Sequence, residues 1–256
     1  MIHHYAGGTV AAFVAGDGPP VWVFHSLLAD AGSCMPLAAA LSGDHRVTVP
    51  DLPGFGGSAP VEAGLEPVAD RLALAIGEAG GPVAIIGNGY GSFVALMLAL
   101  RHPALVSRLL LAGTGAAFDE PGRAAFRGMA AAASGKGLAA IADTAMRRLF
   151  SPAFQQANPA LLADRRKRFL ATNPAIFIVA CNALAGLDLR DAVRELHIPV
   201  LVLAGELDEA TPPAMARELA DLLPNASFAG LPGLAHVPQL QDTAAFVAAA
   251  GGFLSA

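Results

Sequence analysis

Residues 83–100, VAIIGNGYGSFVALMLAL, constrain the fold more than any other stretch of the chain. An apolar run rich in β-branched residues enters a turn in which Gly87, Gly89 and Gly91 alternate. A second, longer apolar run follows with no spacer. The pattern predicts a buried strand that turns sharply into a buried helix. The glycines at the turn let strand and helix approach almost to contact. A strand that is apolar on both faces belongs inside a parallel sheet with helices on either side.

The rest of the chain repeats this alternation. TVAAFVAG and PVWVFHS read as a first strand pair around a Gly-Pro turn, and residues 33–41 as a helix. HRVTVPD is a strand running into the loop DLPGFGGS, where Asp51 is expected to organise the turns, with lining the site as the alternative. Residues 66–79 are helical, and Tyr90–Arg101 form a helix stopped by His102-Pro103. SRLLLAGT, IPVLVLAGE and ASFAGL are further strands, and residues 212–223 and 243–254 further helices. Strand–helix repetition of this kind predicts an α/β fold with a mostly parallel, doubly wound sheet. Ligands in such folds bind beyond the carboxyl ends of the strands. Residues 118–187 interrupt the rhythm. They are Ala-rich and helix-prone, with the charged clusters MRRLF and DRRKRF, and no strand fits there. They read as an inserted helical cap, leaving residues 1–117 and 188–256 as the core.

Composition narrows the functional classes. A chain of 256 residues buries roughly three quarters of its unfolded surface, so its core needs no covalent staples. A net charge of −5 with 14% charged residues argues against nucleic acid or an anionic membrane as partner. Cys34 and Cys181 are too few for a disulfide framework and lack metal-ligand spacing. The first residues show no signal-peptide pattern, and no apolar run reaches the ~18 residues of a membrane span. The expectation is a cytoplasmic monomer or homodimer acting on a small molecule without metal or organic cofactor. GNGYGS also echoes a dinucleotide fingerprint, but Ser92 replaces its third glycine and no acidic residue ends the next strand.

The glycine-dense turn has the outline of a nucleophile elbow, G-x-S-x-G, with Gly89 where the serine would stand. Together with HSLL, DLPGFGGS, ATNPAIFIVACNALAGLDLRD, GELDEATPP and GLAHVPQLQ, it makes the chain resemble the α/β-hydrolase superfamily over nearly its whole length. Within it the chain is most similar to 3-oxoadipate enol-lactonases and the related meta-cleavage C–C hydrolases. The resemblance implies the triad order Ser, Asp, His, which falls on Gly89, Asp208 and His236. Independently of any family, Asp208 and His236 each follow a predicted strand, so both can reach the crevice at the elbow. Glu206 and Glu209 compete for the acid role and read as solvated or capping. Oxyanion donors are expected from the backbone N–H of Tyr90 and, by analogy with H-G-x loops, of Leu27. Ser26 and Asn88 are candidate substrate-binding residues, Ser26 with the alternative of closing a turn.

Loss of the serine side chain predicts a relaxed elbow with an open space above Gly89, where a water could stand. Three readings fit. His236 activates water or takes a proton from the substrate, giving hydrolysis, lyase or proton-transfer chemistry with no acyl intermediate. The pocket only binds a ligand. Or the glycine is an inactivating replacement of a natural serine. Ser92, Cys34 and Cys181 read as packing residues rather than substitute nucleophiles. The Arg clusters of the cap read as a solvated face, with a carboxylate-holding role as the alternative.

Overall fold

A computed structural model describes residues 1–254. Eight strands form one sheet: β1 (Ile2–Tyr5), β2 (Val10–Ala15), β3 (Pro20–Phe24), β4 (Arg46–Pro50), β5 (Val83–Asn88), β6 (Val106–Ala112), β7 (Val200–Gly205) and β8 (Ala226–Leu231). Their spatial order is β1-β2-β4-β3-β5-β6-β7-β8. The β1–β2 and β2–β4 pairs are antiparallel and the others parallel.

Alternation along the strands explains the wholly apolar runs. Trp22, Phe24, Ile85, Leu109 and Val202 face one layer of helices, while Val21, Val23, Ile86, Leu110 and Leu201 face the other. Helices α1 (Met35–Leu41), α2 (Leu65–Glu78) and α3 (Tyr90–Arg101) lie in the first half of the chain. Every residue of α3 from Tyr90 to Ala99 is buried. Each of its large apolar side chains contributes about 1.5–3 kcal/mol by leaving water, so this helix is held by burial rather than by an amphipathic stripe.

Between β6 and β7 the chain runs through five helices: α4 (Glu120–Lys136), α5 (Ala142–Leu149), α6 (Pro152–Ala157), α7 (Pro159–Leu170) and α8 (Pro174–Gly186). The sheet resumes at Val200, and α9 (Pro213–Leu222), α10 (Pro238–Gln241) and α11 (Thr243–Ala250) complete the fold. Among the described residues, no single helix is long and apolar enough to cross a membrane.

One expectation needs correction, and one strand was missed. β2 and β3 do not pair, because β4 lies between them, antiparallel to β2 and parallel to β3. A short connection permits a hairpin without compelling one. β4 is buried from Val47 to Pro50 and takes a partner on each edge. The edge strand β1 was not expected, since IHHY is short and mostly outside the core.

Candidate active site

Four strand ends converge. The β3–β5 register pairs Phe24 with Gly87. Two residues further along each strand stand Ser26 and Gly89. β7 pairs with β8 through Gly205 and Leu231, and the loops beyond them carry Asp208 and His236.

Gly89 has φ 53° and ψ −122°, a combination that L side chains rarely adopt. The turn is as tight as its glycines suggest: a Cβ at Gly87 would stand 2.6 Å from Ser92 Cα. The peptides on either side fix the bend. Gly89 N–H donates to Ala112 O at 2.9 Å, and Gly91 N–H to His25 O at 3.0 Å. Ser92 turns its hydroxyl onto Gly89 O at 2.6 Å and so serves the turn. The Cys34 and Cys181 thiols are both pushed up to about 12 by burial, consistent with packing.

His236 and Asp208 form a closed pair. His236 Nδ1 lies 2.9 Å from Asp208 Oδ2 and 3.2 Å from Oδ1. Asp208 is 4% exposed, whereas Glu206 and Glu209 are exposed, so burial distinguishes the three acids. Ala210 N–H, Thr211 N–H and Thr211 Oγ1–H also donate to the Asp208 carboxylate, at 2.8, 2.9 and 2.7 Å. Burial alone would raise the pKa of this acid. The charge and hydrogen bond of His236, with the Thr211 donors, outweigh it and hold the pKa below the ordinary carboxylate value. A carboxylate that accepts at Nδ1 places the proton there and leaves Nε2 as the acceptor.

Nε2 points at Ser26 Oγ, 3.3 Å away. The space above Gly89 is therefore not open. An added Cβ at Gly89 would lie 2.8 Å from both His236 Nε2 and Ser26 Cβ, and closer still to Ser26 Oγ. The serine of the neighbouring strand end and the imidazole fill the volume that the elbow side chain would take.

Asn88 also departs from expectation. Its amide nitrogen donates to His236 O at 2.7 Å and Ala112 O at 3.3 Å, while its oxygen accepts from Gln239 Nε2 at 3.0 Å. It ties the His236 loop to the elbow and does not line the cavity above the site. Leu27 and Tyr90, by contrast, line the cavity with Ser26, Gly89 and His236. Among the described residues their backbone N–H groups find no acceptor, and the first N–H groups of a helix such as α3 have none within the helix.

Sequence reasoning missed three supports. His25 is wholly buried, and burial lowers its pKa, so it is neutral. Leu52 N–H donates to its Nε2 at 3.2 Å, and its Nδ1 donates to Ser26 O at 3.0 Å. It thus pins the loop that carries Ser26. Thr211 and Gln239 act likewise on Asp208 and Asn88. Only the proximity of Thr211 to Asp208 in sequence signalled any of this. The cavity above the site measures about 530 Å³, and its wall is completed by Phe118, Phe126, Met129 and Leu184 from the helical insertion and its approach. Arg148 reaches this wall, whereas Arg165 and Arg168 pair with Asp30 and Asp164. Asp51 does organise its loop, accepting from Gly57 N–H at 2.8 Å. No group of three or more His, Cys, Asp or Glu residues is placed to hold a metal among the described residues.

Sheet order, elbow and buried His–Asp pair define one class of protein. Residues 7–250 match the alpha/beta hydrolase family, and the chain belongs to it. A pimeloyl-[acyl-carrier protein] methyl ester esterase of Vibrio atlanticus (strain LGP32) is 30% identical over 91% of this chain and 93% of its own. The 3-oxoadipate enol-lactonase 1 of Acinetobacter baylyi (strain ATCC 33305 / BD413 / ADP1) is 32% identical over 82% of this chain and 80% of its own. The crystal structure of the enol-lactonase from Burkholderia xenovorans LB400 superposes with a TM-score of 0.92 at 26% identity, covering 100% of both chains. The resemblance to enol-lactonases thus extends from motifs to the whole fold.

Proposed function

We propose that this protein hydrolyses the ester bond of a small carboxylic ester or lactone, with the His236–Asp208 pair as its base. One observation carries the reading: an imidazole locked to a buried carboxylate through Nδ1 directs Nε2 at the elbow on the cavity floor. The esterase and enol-lactonase relatives support hydrolysis as the general class. In this reading Nε2 takes the proton of the attacking oxygen and returns it to the departing alkoxide. Asp208 holds the ring in the required tautomer and stabilises the imidazolium that forms. Leu27 N–H and Tyr90 N–H receive the oxyanion, since both lack acceptors beside the elbow. The cavity volume suits an acyl group of modest size and an apolar body.

The test is turnover of a panel of activated esters and enol-lactones by the native chain and by His236→Ala. The base role predicts a loss of roughly 10³-fold or more in kcat. Absence of ester or lactone turnover by the native chain refutes hydrolysis. Retained ligand affinity without turnover, indifferent to His236→Ala, would favour a non-catalytic binding protein on this scaffold. That alternative draws on the side chain missing from Gly89.

A further inference from the structure

The elbow apex carries no oxygen, yet an oxygen stands above it. Resting on the hydrolytic reading, we infer that Ser26 Oγ is the nucleophile of this site, supplied from the end of β3 in place of a side chain on Gly89. This departs from the expectation of a reaction without an acyl intermediate.

Four observations converge on Ser26. Its Oγ and Cβ occupy the space directly over Gly89. That oxygen lies 3.3 Å from His236 Nε2, the ring nitrogen left free by Asp208. Nucleophile, base and orienting acid thus form one chain of contacts, and separations of this size are common before substrate enters. Its backbone is fixed, with Ser26 O accepting from His25 Nδ1 at 3.0 Å and from Ala29 N–H at 3.2 Å. Finally, Ser26 lines the cavity together with Leu27 and Tyr90, so the residues that carry this hydroxyl and the two N–H groups border one cavity. The competing hydroxyls are committed elsewhere: Ser92 to Gly89 O and Thr211 to Asp208.

The chemistry balances with water as the only co-reactant. Ser26 Oγ–H passes its proton to His236 Nε2 while Oγ bonds to the acyl carbon. The carbonyl π pair moves to oxygen and is held by the N–H groups of Leu27 and Tyr90. As the carbonyl re-forms, the bond to the alcohol oxygen breaks, and that oxygen takes the proton from Nε2. Water then attacks the acyl-Ser26 ester, giving a proton to Nε2. Ser26 Oγ leaves and recovers that proton. The products are one carboxylic acid and one alcohol, or a single hydroxy acid (its keto form for an enol-lactone).

The experiment treats the native chain with a fluorophosphonate and locates the adduct by peptide mass spectrometry, alongside ester turnover of native and Ser26→Ala proteins. The expected result is a single adduct on the peptide containing Ser26, a one-equivalent burst of alcohol, and a fall of 10³-fold or more in Ser26→Ala. Native turnover without an adduct on Ser26 overturns the inference, leaving direct water attack where nothing is labelled and a different nucleophile where the adduct lies elsewhere; turnover by Ser26→Ala within tenfold of native overturns it equally. No turnover and no adduct in the native chain overturns both this inference and the hydrolytic reading. Because the adduct is sought on the native chain, the outcome does not depend on how well the variant folds.

Discussion

Substituting alanine for Gly89 probes the crowding at the elbow without adding any reactive group. Two terms oppose the new methyl. The backbone at φ 53° and ψ −122° costs about 1–3 kcal/mol for a residue with a Cβ. The Cβ would also stand 2.8 Å from His236 Nε2 and from Ser26 Cβ, well inside ordinary contact distance. Overpacking of that kind costs about 1–3 kcal/mol. The sum is about 2–6 kcal/mol, or a fall in Tm of about 4–24 °C for a chain of this size. Urea unfolding of native, Gly89→Ala, Ser26→Gly and the double variant separates the terms. Ser26→Gly removes both serine atoms that meet the methyl. The two substitutions should therefore couple favourably by at least ~1 kcal/mol, the backbone share remaining. A Gly89→Ala protein within ~0.5 kcal/mol of native, or strictly additive variants, would refute the claim that Ser26 fills this space. For the same reason, Gly89→Ser does not simply restore an elbow serine, since its side chain needs the volume that Ser26 and His236 already occupy.

Two further outcomes follow from named contacts. Asn88→Ala strips partners from His236 O and Gln239 Nε2. It should cost about 1–3 kcal/mol in urea unfolding and lower kcat more than it raises KM, because the base loses its tether; a substrate-binding Asn88 would chiefly raise KM. Acid should also destabilise the fold in a defined window. Hydrogen bonds from Arg101 and His102 hold the Asp70 pKa at about 2, below the ~3.9 of an unfolded aspartate. Its contribution is thus complete above pH ~4 and lost as pH falls towards 2. Asp208, also lowered, acts in the same direction. The pair at Asp70 is largely exposed, so the effect is modest. Urea midpoints from pH 5 to 2 should fall less steeply for Asp70→Asn than for the native chain, and equal slopes would contradict this.

Much of the architecture was legible because burial writes itself into sequence. β5 and α3 carry unbroken apolar runs with glycine between them, and both occur where the pattern puts them. The helical segment between β6 and β7 was visible as an Ala-rich, helix-prone stretch in which no strand fits. Asp208 and His236 were legible because each follows a strand, and strand ends in a parallel sheet share a crevice. The partner of β2 was not legible, since β4 enters from more than thirty residues away and no local signal announces it. Nor was the use made of Asn88. An amide beside an elbow reads equally as a ligand for substrate or as a strut, and only the position of the His236 carbonyl decides.

The space over Gly89 was the least legible feature, and the reason lies in the sheet itself. Sequence describes the apex of the elbow through the residue at the apex, so a glycine there reads as an absence. In the fold, the volume above that apex belongs to two strands at once. The parallel register that sets Phe24 beside Gly87 also brings the residues two positions further on, Ser26 and Gly89, under the same imidazole. An oxygen supplied from either strand end can then meet His236 Nε2, with the N–H groups of Leu27 and Tyr90 on hand in both cases. What the reaction requires is an oxygen at that point in space, 3.3 Å from the base as Ser26 stands. The strand that carries it is a secondary matter, provided the neighbouring apex leaves room. The glycine at position 89 is thus the complement of Ser26: its missing side chain is what allows the hydroxyl of β3 to stand over the elbow.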